Sequence, residues 1–160
     1  MPAVFWKSSP VRDLQEWAAR LRAEVDRALR DVVSTYPFEA GAHEIGPPEP
    51  DAPVPLPADL AALLRTVGPV SLPDIGNGYF LQAPYTVDRI AEGEVVVFGS
   101  DGGGTLYALG DAVYRIRDAS YVDGFYDGPV TVIAPDLDSF LERLLGAVSA
   151  FADDGSITDL

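Results

Sequence analysis

A chain of 160 residues, 48% hydrophobic and without a single cysteine, has room for one domain with a sizeable core and needs no disulfide or metal staple. The missing thiols exclude disulfide scaffolds, cysteine nucleophiles, thiolate zinc sites and iron–sulfur clusters. A formal net charge of −14 works against contact with a phosphate backbone and favours encounter with a basic partner.

The charge is unevenly spread. Residues 1–37 hold six basic and five acidic side chains, whereas residues 38–160 hold five basic and twenty acidic ones. The opening Met1-Pro-Ala-Val-Phe-Trp-Lys7 lacks the apolar run of a signal peptide. Nowhere do the roughly 18 apolar residues of a membrane span run together. The expectation is a cytoplasmic protein with no membrane contact.

Along the chain, Leu14, Trp17, Leu21, Val25, Leu29 and Val32 recur at helical spacing, with Ala18 and Ala28 widening the stripe. Ser9 and Pro10 fit the N-cap and first helical position, and Tyr36-Pro37 stops the helix, because a residue before proline is pushed out of the α region. Six prolines then fall between Gly46 and Pro57, which reads as a stiff connector. Residues 56–68 predict a short second helix with Leu60, Leu63, Leu64 and Val67 on one face and Gly68-Pro69 as its stop.

The period then changes. Runs at 79–81, 86–90, 95–98, 105–109, 113–116 and 130–134 are short and β-rich, and Gly93-Glu94, 99–104, Gly110-Asp111 and 127–129 read as the turns between them. Connections this short suit antiparallel pairing. Asp136 is placed to cap a last helix that carries Leu137, Phe140, Leu141, Leu144, Leu145, Val148 and Phe151 on a broad apolar face. The polar tail from Asp153 is expected to fray. The resulting fold class is α+β: an antiparallel sheet of about four to six strands, with a long N-terminal helix, a short second helix and a C-terminal helix packed on it. Residues 1–160 form one domain, divided into an N-terminal helical segment (1–45), a proline-rich connector (46–57) and a core body (56–152).

The chemistry on offer is sparse. The glycine run Gly99-Ser-Asp-Gly102-Gly103-Gly104-Thr105 has the spacing of a phosphate loop but lacks its lysine, and a strand rather than a helix follows it. Gly102, Gly103 and Gly104 are better read as a structural turn. His43 is the only histidine, sits in a Gly/Ala/Pro-rich loop, and reads as a solvated side chain. No G-x-S-x-G elbow and no calcium loop is present. No catalytic residue, metal ligand or cofactor is assigned, and the chain reads as a non-enzyme. What is left is a contact surface, Asp118-Ala-Ser-Tyr121-Val-Asp123-Gly-Phe125-Tyr126-Asp127. Aromatics interleaved with carboxylates suit a basic partner, and Asp118, Tyr121, Asp123, Tyr126 and Asp127 are the candidate partner-binding residues. The alternative is that Tyr121, Phe125 and Tyr126 belong partly to the core, on a strand.

Three segments in order resemble the SUKH superfamily, the SMI/KNR-type domain of bacterial immunity proteins and fungal cell-wall regulators. They are Leu56-Pro57-Ala-Asp59-Leu60 opening a helix, the strand–glycine turn–strand stretch from Val96 to Leu109, and Val113-Tyr114 followed by Asp138-Ser-Phe140-Leu141-Glu-Arg-Leu144. The Asn-Gly that often follows the family's second helix is Gly68-Pro69 here. The resemblance implies an α+β domain without catalytic residues. In bacteria it implies a cytoplasmic immunity protein that binds and blocks a polymorphic toxin, often one acting on nucleic acid and therefore basic. The alternative function is a scaffold or regulatory module that docks a resident protein through its first helix and proline connector.

Overall fold

The structure, a computed structural model, describes residues 13–160. Ser9 and Pro10, read above as cap and first helical residue, lie outside the described residues. The described first helix, α1 (Leu14–Asp31), is capped by Asp13, whose carboxylate accepts the Glu16 N–H at 3.0 Å. Its predicted stripe is the buried one. Trp17, Ala18, Leu21, Val25 and Ala28 are buried, with Leu14, Leu29 and Val32 packed at the margin. A single 3-10 turn (Val33–Thr35) follows, and Tyr36 ahead of Pro37 is extended (φ −73°, ψ 150°).

The second helix, α2 (Ala58–Thr66), buries Leu60, Leu63 and Leu64, and Gly68 turns the chain at φ +95°. The third, α3 (Leu137–Asp154), starts at Asp136, whose side chain accepts the Ser139 N–H at 2.8 Å, and stops at Gly155 (φ +78°). α1 lies along α3. The indole N–H of Trp17 donates to the carbonyl of Leu141 at 2.9 Å, which satisfies the one polar atom of a side chain that is otherwise fully buried.

Ten strands make one continuous sheet, more than the four to six expected: β1 (Glu44–Ile45), β2 (Val70–Leu72), β3 (Tyr79–Leu81), β4 (Asp88–Ile90), β5 (Gly93–Asp101), β6 (Leu106–Leu109), β7 (Val113–Ile116), β8 (Ser120–Val122), β9 (Phe125–Asp127) and β10 (Val130–Ala134). The additional strands β1, β2, β8 and β9 have two or three residues each, too few for alternation to register in the sequence. Every pairing is antiparallel except β4 with β9. The turn expected at Gly93-Glu94 falls instead at residues 91–92, with Gly93 as the first residue of β5, and β5 runs on to Asp101 before the glycines turn it.

β5 organises the molecule. Its first half pairs β4, its second half pairs β3, and its other edge pairs β6. Alternate residues face different cores. Val96 and Phe98 join the main core under the helices, where Phe98 meets the Phe140 ring edge-on at 5.3 Å. Val95 joins a second, smaller core with Ile90, Ala108, Tyr114 and Ile116, and Val97 packs against it, as do Ala119 and Tyr126. Burying each large apolar side chain contributes roughly 1.5–3 kcal/mol.

Two further expectations are corrected. The tail does not fray: Tyr79 donates its hydroxyl hydrogen to Thr158 O at 2.6 Å, Arg115 donates to Leu160 O at 3.0 Å, and Leu160 is buried. His43 is not solvated, since its side chain is 3% exposed. Its Nε2 accepts the Asp74 N–H at 3.1 Å, its Nδ1 lies 3.0 Å from Gly41 O, and Asp74 accepts the Gly41 N–H at 2.7 Å. The histidine stitches the loop before β1 to the loop after β2. The proline connector is likewise seated, with Gly46 N–H donating to Pro69 O and Glu49 N–H to Leu64 O.

Candidate functional site: the acidic edge hairpin

Among the described residues no helix is long and apolar enough to cross a membrane. Two surface features merit comparison as sites. A trough of about 340 Å³ lies between α1 and α3, bordered by Arg20, Glu24, Glu142 and Ser149. Its charges serve the protein itself. Arg27 holds Glu24 at 2.9 Å, Asp153 at 2.7 Å and Ser149 O at 3.2 Å, and Arg20 lies 4.0 Å from Glu142. The hydrogen bond from Arg27, helped by Ser149, pulls the Glu24 carboxyl down from 4.5 to about 2. The trough is a braced helix seam.

The second feature is the β8–β9 hairpin. Asp123 and Gly124 form its two-residue loop, both at positive φ (50° and 77°), the geometry of a type I′ turn. Asp-Gly is a strong hairpin signal, and here it sits between Val122 and Phe125, which pair across the loop. Tyr121 pairs Tyr126, their ring centroids 4.5 Å apart, and Ser120 pairs Asp127. β9 docks on β4 through the Arg89 N–H, which donates to Gly124 O at 2.8 Å, and the Arg89 guanidinium lies 5.8 Å from the Phe125 ring centre.

At the junction stands a carboxylate that the sequence reading passed over. Asp88 is 4% exposed. One oxygen accepts the Tyr121 hydroxyl hydrogen at 2.7 Å, and the other accepts that of Thr86 at 3.0 Å. The hydrogen bond to Asp88 raises the Tyr121 phenol above its ordinary value, with burial adding to it; burial, then the nearby Asp88 charge, raises Tyr126. Tyr121 therefore stays a donor at neutral pH, and the contact is a charge-assisted hydrogen bond. The signal for Asp88 was alternation: with Ile90 it makes the inward pair of β4, so an acid stands where the pattern asks for an apolar residue.

The candidate residues divide as follows. Tyr121 is 50% exposed and its hydroxyl is anchored. Tyr126 is half-buried and packs on the smaller core, so its role is mainly support. Asp123 is exposed at the hairpin tip, and Asp118 (φ +54°) and Asp127 are exposed at its base. Carboxylates thus stand at both ends of the exposed tyrosine. Exposed apolar side chains absent from the expected site add to the surface: Val122 on β8, and Tyr85 and Val87 leading into β4.

The glycine segment lies elsewhere, between β5 and β6. Asp101 Oδ1 accepts the Gly103 and Thr105 N–H groups at 2.8 and 3.0 Å. Gly102 donates to Asn77 O at 2.8 Å, and a Cβ on it would sit 2.2 Å from that oxygen. The loop's own carboxylate and a neighbouring carbonyl take these N–H groups, which suits a turn and not an anion cradle.

The chain matches no protein-family model, no curated protein and no solved structure.

Proposed function

We propose that this protein is a non-catalytic binding domain that holds a basic protein partner on the β8–β9 hairpin. The observation that carries the reading is the hairpin itself, an exposed tyrosine locked by a buried aspartate and bracketed by Asp118, Asp123 and Asp127. A rigid aromatic contact with little rotamer entropy left to lose, flanked by three exposed carboxylates, suits recognition better than catalysis. The excess of acidic residues beyond position 37 adds long-range attraction for a basic surface.

The resemblance of residues 56–60, 96–109, 113–114 and 138–144 to SUKH domains narrows the proposal to a cytoplasmic immunity protein that neutralises a cognate toxin. A toxin that grips nucleic acid presents a basic cleft, which an acidic protein can fill and be steered into. The scaffold alternative gains no support, because α1 spends its apolar stripe on the core and the connector is seated against the end of α2.

The test is co-purification of the tagged full chain from its native cells, followed by assay of what it retains. A basic toxin domain, silenced at one-to-one stoichiometry and lethal when this gene is deleted, is the expected result. Recovery of housekeeping proteins alone, with a harmless deletion, overturns the immunity reading.

A further inference from the structure

Among the described residues the sheet has three free edges, and two of them are blunted. β1 has only two residues, and β10 is broken by a bulge between Val132 and Ala134 with Pro129 and Pro135 at its ends. β8, also short at three residues, has neither bulge nor proline. The two-residue type I′ loop makes Val122–Phe125 the hydrogen-bonded closing pair, so the next pair, Tyr121–Tyr126, is a non-hydrogen-bonded one. The Tyr121 N–H and C=O therefore point away from β9, toward the open side of the sheet. Among the described residues no strand pairs that side.

We propose that the partner adds a β-strand to β8, and that this strand is basic. Three observations select the occupant. The Tyr121 backbone offers a donor and an acceptor in strand geometry, and its anchored side chain keeps that strand in place before binding. Val122, on β8 itself, supplies exposed apolar surface. Asp118 and Asp123 stand at the two ends of β8, opposite where lysine or arginine of an added strand would fall. A second copy of this chain is the wrong occupant: edge-to-edge pairing about Tyr121 would gather both sets of aspartates between two chains of −14 each. The inference rests on the reading that the hairpin faces a basic partner, and adds to it how that partner engages.

The experiment titrates the full chain with the peptide Thr-Lys-Val-Arg-Val-Lys-Thr, with its counterpart in which Glu replaces Lys and Arg, and with the basic peptide N-methylated along both edges. Amide resonances and hydrogen exchange report the site. The expected result is slowed exchange of the Tyr121 amide with the basic peptide, binding about tenfold or more weaker after N-methylation, and weakest binding by the acidic peptide. If the N-methylated peptide binds the hairpin as tightly as its parent, charge alone drives contact; strand addition is overturned and the basic-partner reading stands. If the basic peptide protects β1 or β10 instead, β8 is not the receiving edge. If it leaves the hairpin untouched, both the inference and the hairpin reading fall.

Discussion

The Tyr121 hydroxyl lies 2.7 Å from an Asp88 oxygen, which ties the outermost strand of the sheet to a carboxylate on β4, two strands inward. A buried acid held by two side-chain hydroxyls, Tyr121 and Thr86, depends on both of them. Tyr121→Phe removes one and leaves the ring. It is expected to lower the urea midpoint, because the buried Asp88 carboxylate loses a partner. The double variant Tyr121→Phe/Asp88→Asn should recover part of that loss, because a neutral amide is less costly to leave under-bonded. A double-mutant cycle with no coupling between the two positions would contradict the contact.

Charge at the hairpin is predicted to act on the rate of encounter. Asp118→Asn/Asp123→Asn keeps residue types that tolerate the observed positive φ, so the fold is preserved. With the basic partner recovered from cells, stopped-flow association of this variant, with Asp127→Asn added, should slow by about tenfold or more at low ionic strength. The difference should vanish near 1 M salt, where screening acts within ~3 Å. Equal rates at low salt would remove the hairpin from the encounter surface.

The helix seam carries an acid-sensitive pair. Arg27 holds Glu24 in its ionised form, with a folded-state value of about 2 against 4.5 for an ordinary carboxyl. A lowered folded-state value means the stabilisation is fully present above 4.5 and is lost as pH falls toward 2. Glu24→Gln should therefore be less stable than the parent at neutral pH, and the gap should close across that acid window. Chemical unfolding of both proteins as a function of pH measures it, and a gap independent of pH would refute it.

The three turn glycines are predicted to rank. Gly102→Ala forces a Cβ to within 2.2 Å of Asn77 O and should be the most damaging. Gly104→Ala meets open space but must hold φ +86°, at a cost of about 1–2 kcal/mol. Gly103→Ala has only Asp101 Oδ1 near, at 3.4 Å, and should be nearly neutral. Thermal denaturation of the three variants gives the order directly.

The three described α-helices and most of the longer strands were legible because burial imposes a period, and Trp17, Leu60 and Phe140 all lie where that period puts them. What escaped was short or non-local. β2 carries one inward pair, Val70 and Leu72, which no window separates from a loop. His43 read as solvent-facing because its partner Asp74, 31 residues away, is brought to it only by folding. The tail read as loose because its anchors, Tyr79 and Arg115, lie far back in the chain. At the hairpin the tyrosines and aspartates were visible as composition. The lock that orders them, Asp88, was not, since nothing local links position 88 to position 121.

β5 gives the fold an unusual intolerance. Its alternate residues belong to different cores, Val95 and Val97 on one side and Val96 and Phe98 on the other, so neither side of the strand is free to face solvent. A slip of one position would trade the contents of both interiors at once, presenting Phe98 to the smaller core of Ile90, Ala108, Tyr114 and Ile116. The strand has a single admissible alignment, and the β4–β9–β8 wing inherits it. The exposed tip of that wing hangs from a beam that cannot shift.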